Sequence, residues 1–125
     1  MKKKTILIVS PHEHTRKPLF DIFSGEGYTV FTASSGQEGL EVFIKERPSL
    51  SIIEQVMPVM NGFETLRRFK EVRPETPVIM LTSHGTIDAA IEAIKMGAFD
   101  YIPKPPELAH LINTVKRALD ATKSS

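Results

Sequence analysis

The stretch Leu50-Ser51-Ile52-Ile53-Glu54-Gln55-Val56-Met57-Pro58-Val59-Met60-Asn61-Gly62 opens on a nearly unbroken apolar run, closed by an acid and then by turn-forming residues. A short apolar run bounded in this way reads as a strand covered on both faces, here Leu50–Glu54. Thr5–Val9 and Pro77–Thr82 read the same way, and Thr29–Ala33 and Asp100–Ile102 supply two less apolar strands. Longer segments of helical period lie between them. Strand and helix therefore alternate along the whole chain, which predicts an α/β fold with a doubly wound, five-stranded parallel sheet.

The helices are amphipathic, most plainly the last, where Leu108, Leu111, Ile112, Val115 and Leu119 fall three and four apart. That stripe is expected to face the core. Pro18 is compatible with the first helix if the helix begins near His14 or Thr15, because a proline in the first turn forfeits no helical hydrogen bond. Gly25-Glu26-Gly27, Asn61-Gly62 and Met96-Gly97 punctuate the turns. With no internal linker, residues 1–121 are expected to form one domain and residues 122–125 a tail.

A chain of 125 residues, 41% hydrophobic and 25% charged, has the composition of one globular domain. No apolar run approaches the roughly 20 residues of a membrane span. Met1-Lys2-Lys3-Lys4 precedes an apolar run of only about five residues, short of the ~7–15 of a signal peptide. The expectation is a cytoplasmic protein that opens on its first strand. The absence of cysteine excludes disulfides, thiolate zinc sites and cysteine nucleophiles. A net charge of +1 gives no electrostatic reason to expect nucleic acid as a direct partner.

In an open parallel sheet, ligands gather beyond the carboxyl ends of the strands, where loops and helix N-termini converge. Those ends carry Ser10-Pro11-His12-Glu13-His14, then Glu54, then Thr82-Ser83-His84-Gly85, then Tyr101-Ile102-Pro103-Lys104-Pro105. Candidate functional residues are sought there first.

Four motifs recur at this rim in fixed order: Met57-Pro58 beyond the acid, Asn61-Gly62 in the following turn, Leu81-Thr82-Ser83, and Gly97-Ala98-Phe99-Asp100-Tyr101 running to Lys104-Pro105. In these, from about Lys4 to Leu119, the chain resembles the receiver (CheY-like) domains of bacterial two-component response regulators. His84-Gly85-Thr86-Ile87-Asp88 further resembles receivers that precede transcriptional activators. The resemblance implies a flavodoxin-like fold with strand order 2-1-3-4-5 and a signalling role rather than an enzymatic one. It also implies protein partners, either an output domain or another signalling protein. Family members commonly pair through the face of the fourth helix, fifth strand and fifth helix, so a homodimer through that face is expected.

In that family the acid closing strand three is an aspartate that accepts a phosphoryl group, and an acidic pair closing strand one helps hold Mg²⁺. Here the acceptor position is Glu54 and the pair falls on Ser10 and Pro11. A hard dication needs converging oxygen ligands; serine is a weak neutral one and proline offers none. The extra methylene of Glu54 displaces its carboxylate by about 1.5 Å from in-line attack geometry. The departures together imply a pseudo-receiver that has lost phosphorylation and uses no cofactor, Mg²⁺ included. Glu54 then stands either as the anion that pairs Lys104 and keeps the loops together, or as a permanent negative charge near where an aspartyl phosphate would carry its own.

The rest of the site keeps its residue types. Thr82 and Tyr101 match the family's switch residues, Lys104 its phosphate-pairing lysine, and Lys104–Pro105 is expected to be a cis peptide. Taken singly, each also has a plain explanation: a strand-end hydroxyl, half-buried packing, a solvated loop cation. Two other functions compete with the pseudo-receiver. One is a working phosphoacceptor that uses Glu54. The other is a repurposed metal- or ligand-binding domain, for which His12, His14 and His84 share one rim and His12 is within reach of Glu54.

Overall fold

Parity along the central strands decides which face each side chain serves, since successive residues point to opposite sides of a sheet. In the computed structural model, which describes residues 3–123, the elements are β1 (Thr5–Val9), α1 (Glu13–Gly25), β2 (Thr29–Ala33), α2 (Gly36–Glu46) and β3 (Leu50–Glu54). They continue with α3 (Gly62–Val72), β4 (Val78–Thr82), α4 (Ile87–Lys95), β5 (Asp100–Pro103) and α5 (Leu108–Lys123). On one face Ile6, Ile8, Ile52 and Leu81 pack against Leu19 and Phe23 of α1 and Leu111, Val115 and Leu119 of α5. On the other, Leu7, Val9, Ile53 and Met80 meet Phe43 of α2, Leu66 and Phe69 of α3 and Ala93 of α4. Phe43 and Phe69 stack with ring centroids 4.1 Å apart. Fully burying an aromatic of this kind contributes roughly 1.5–3 kcal/mol.

All strands are parallel and ordered β2-β1-β3-β4-β5, so the chain reverses direction across the sheet between β1 and β3. That reversal leaves a crevice at the carboxyl ends of the two strands. The register there pairs Val9 with Ile53, which sets Ser10 beside Glu54. β1, β3 and β4 are almost wholly buried, whereas the edge strands β2 and β5 are partly open.

α1 begins at Glu13, one residue earlier than expected, with His12 at its N-cap. Pro18 therefore stands in the second turn rather than the first, where the missing N–H deprives the His14 carbonyl of its helical donor. β4 starts one residue later than expected and β5 runs one residue longer, to Pro103. In α5 the stripe faces the core at Leu111, Val115 and Leu119, but Leu108 at the helix start is 47% exposed. The helix takes in Thr122 and Lys123; Ser124 and Ser125 of the expected tail lie outside the described residues. Among the described residues no helix is long and apolar enough to cross a membrane.

Candidate functional site

The crevice is shaped first by the turn that follows β3. Asn61 caps α3, its Oδ1 accepting from the Glu64 N–H at 3.0 Å. The next residue must be glycine: a Cβ at Gly62 would stand 2.6 Å from the Glu54 carbonyl oxygen and 2.7 Å from Gln55 Cα. This close approach lets the Gly62 N–H donate to the Gln55 carbonyl at 2.7 Å, closing the loop back onto the strand end. Glu54 is thereby held at the floor of the crevice, only 4% exposed.

A carboxylate buried this deeply needs partners. The Ser10 hydroxyl donates to Glu54 Oε1 at 2.6 Å, and Lys104 Nζ donates to Oε2 at 3.1 Å. His12 Nε2 lies 3.6 Å from Oε2 at the open side, its side chain 47% exposed. Lys104 also donates to Thr15 Oγ1 at 2.8 Å, so the ammonium bridges α1 and β3. The peptide between Lys104 and Pro105 is cis. Ser10 is fixed in turn: its hydroxyl accepts from the His12 N–H at 3.1 Å, and its carbonyl accepts from Arg16 Nη1 at 2.8 Å. Pro11, half-buried beside it, offers no side-chain donor or acceptor.

Thr82 and Tyr101 form a second group, on the β4–β5 side. The buried Thr82 hydroxyl accepts from the His84 N–H at 3.0 Å, and the Tyr101 hydroxyl donates to Gln55 Oε1 at 2.5 Å. The candidates thus divide into a Ser10–Glu54–Lys104 cluster with His12 at its edge and a Thr82–Tyr101 pair beside it. The histidines do not converge. His12 and His14 stack at 4.9 Å, while His84 Nδ1 lies 3.1 Å from Ser83 Oγ. Among the described residues no three His, Cys, Asp or Glu side chains are grouped to hold a metal ion.

Thr15, Arg16 and Gln55 belong to the site and were not singled out from the sequence. Thr15 had a legible signal, being a polar residue in line with the buried Leu19 and Phe23 of α1. Arg16 and Gln55 had none, because their partners are a backbone carbonyl and a residue on another strand.

This fold, with an acid at the end of β3 and a lysine reaching it from beyond β5, is the architecture of one signalling family. The model for the response regulator receiver domain matches residues 6–116. The chain is 34% identical over 119 residues to sporulation initiation phosphotransferase F of Bacillus subtilis, covering 95% of this chain and 96% of that protein. It is also 34% identical over 114 residues to the regulatory protein AtoC of Escherichia coli, covering 91% of this chain but 25% of AtoC. A crystal structure of a CheY-like receiver domain protein from Methanospirillum hungatei superposes with a TM-score of 0.94 at 30% identity, covering 98% of each chain.

The chain belongs to the response regulator receiver domain family, the signalling modules of two-component systems. It spans about a quarter of the length of AtoC and comparable regulators and nearly all of the length of the single-domain relative.

Proposed function

We propose that this receiver domain signals by protein–protein interaction and without phosphorylation, with Glu54 in place of the phosphoacceptor. The observation that carries this is the closed state of the Glu54 carboxylate, one oxygen taken by the Ser10 hydroxyl at 2.6 Å and the other by Lys104 at 3.1 Å. The side-chain oxygens Ser10 and Glu54 supply at the crevice are then one carboxylate and one neutral hydroxyl, both engaged. Such a donor set does not fit Mg²⁺, which demands near-octahedral oxygen coordination and usually more than one anionic ligand. Lys104 does for Glu54 what a phosphate-pairing lysine would do for a phosphoryl oxygen, so the charge pattern at the rim is built in. Thr82 and Tyr101 are read as switch residues held in one arrangement, and the setting as cytoplasmic.

Protein partners follow from the exposed surface. Ile87, Ile91 and Ile94 form a stripe along α4, exposed by 79%, 49% and 50%. Asp88 lies in the first turn and Lys95 in the last. Two α4 helices crossing antiparallel would set Ile91 against Ile91 and Asp88 near Lys95, which supports pairing with a second copy through the α4–β5–α5 face. An output domain, as carried by longer relatives, is the other partner of this kind.

The test is titration with Mg²⁺ and a small acyl phosphate, followed by amide chemical shifts. The expected result is no saturable change from Mg²⁺ and no spread of shifts from β4 to β5 when both are added. Saturable binding followed by such a spread contradicts the proposal and establishes Glu54 as an acceptor.

A further inference from the structure

We propose that Gln55 is a positioning residue that holds Tyr101 in its present orientation, so that the wall of the α4–β5 face is set from the end of β3 without a phosphoryl group. This rests on the phosphorylation-independent reading for its biological sense, though the contact itself stands on geometry. The Tyr101 hydroxyl donates to Gln55 Oε1 at 2.5 Å. The Gln55 backbone is anchored, because its N–H donates to the Leu81 carbonyl at 2.7 Å and its own carbonyl accepts from the Gly62 N–H at 2.7 Å. The acceptor therefore hangs from an anchored stretch of backbone.

The contact of the ring with Gly85 is equally specific. A Cβ at Gly85 would stand 3.3 Å from Tyr101 Cε2 and 3.0 Å from Thr82 Cγ2, both tighter than ordinary contact. Gly85 thus leaves the space that the ring occupies. With Ile87, Ala90 and Pro103, Tyr101 lines a cavity of about 500 Å³ between α4 and β5. Ile87 at its rim is the most exposed member of the α4 stripe, at 79%. The side chain next to Glu54 is in this way linked through one neutral hydrogen bond to the surface that partners would read.

The experiment uses the whole chain labelled with 3-fluorotyrosine in a Tyr28→Phe background, so that Tyr101 alone reports; the chain has two tyrosines. The expected ¹⁹F spectrum is a single narrow resonance, shifted or broadened by Gln55→Leu and by the size-matched Gln55→Met. Amide shifts of residues 85–90 should move in both variants. Tyr101→Phe should displace the same amides, and Gln55→Leu combined with Tyr101→Phe should add nothing further, which a merely local packing effect would not produce. A ¹⁹F resonance unchanged by Gln55→Leu and Gln55→Met, or amide shifts that sum in the double variant, overturns the assignment. Adding Mg²⁺ and an acyl phosphate to the parent separates the two proposals. A resonance that moves then counts against the phosphorylation-independent reading while leaving the role of Gln55 to the variants.

Discussion

Ser10 and Glu54 meet across the ends of β1 and β3, the serine hydroxyl donating to Oε1 at 2.6 Å with both residues buried. The hydroxyl also accepts from the His12 N–H at 3.1 Å, so one small side chain ties the start of α1 to the strand-three acid. Ser10→Ala strips both contacts and leaves a buried carboxylate oxygen short of a donor. Stability should fall by about 1–3 kcal/mol, read as the shift of a urea unfolding curve at constant slope.

Lys104 has a larger effect of the same kind. Its side chain, 14% exposed, brings Nζ to 3.1 Å from Oε2 of Glu54, whose side chain is 4% exposed. Lys104→Met should destabilise by about 3–5 kcal/mol, since removing one member of a buried pair strands the other. Adding Glu54→Gln should recover most of the loss, because a neutral amide no longer needs the cation. Unfolding curves for the two single variants and the double one measure this coupling, and purely additive effects would contradict it.

A pH effect is expected at α2, away from the crevice. Ser35 caps the helix, and three residues on Glu38 folds back to accept from the Ser34 N–H at 2.7 Å and the Ser34 hydroxyl at 2.8 Å. These bonds, the backbone one first, hold the Glu38 carboxyl below the usual glutamate range. A lowered folded-state value means that stabilisation is full above the unfolded glutamate pKa of about 4.3 and is lost as pH falls through the folded one. Glu38→Gln should therefore lower stability at pH 7 by about 0.5 kcal/mol, a small figure because the group is exposed, and the difference should vanish in acid. Thermal unfolding of both proteins at pH 7 and near pH 3 checks the sign.

Self-association through α4 is tested by sedimentation velocity across a concentration series. The parent should show concentration-dependent growth in sedimentation coefficient. Ile91→Lys, placing a charge at the centre of the Ile87–Ile91–Ile94 stripe, should abolish it while leaving the fold intact, since Ile91 is half-exposed at 49%.

The strands were the most legible part of the sequence. β1 and β3 fall at the expected residues because buried apolar runs end where turn residues begin, a local signal, and the less apolar edge strand β2 also falls where expected. α1 was less so: Pro18 suggested a later start, yet the helix begins at Glu13 and carries the proline in its second turn. Tertiary packing of Leu19 and Phe23 outweighs one missing helical hydrogen bond. At the site, the positions of Ser10, Glu54 and Lys104 followed from strand ends and motif spacing. The pairing of Glu54 with Lys104 and the approach of His12 followed as well, but the further contacts of Lys104 and of Tyr101 did not. The bonds of Lys104 to Thr15 and of Tyr101 to Gln55 join residues 89 and 46 apart in the chain, and nothing in local pattern encodes such pairs.

Repair of the crevice tests the central claim most directly, read by intact-mass measurement after incubation with an acyl phosphate and Mg²⁺. Glu54→Asp alone should remain unmodified, because Ser10 and Pro11 still supply no carboxylate for the metal. The triple variant Ser10→Asp, Pro11→Asp, Glu54→Asp should gain one acid-labile phosphoryl group. Without Mg²⁺ it should be less stable than the parent, since three carboxylates then crowd one rim, and Mg²⁺ should reverse that loss. Phosphorylation of the parent or of Glu54→Asp alone, or a folded triple variant that binds Mg²⁺ and stays unmodified, would contradict the account.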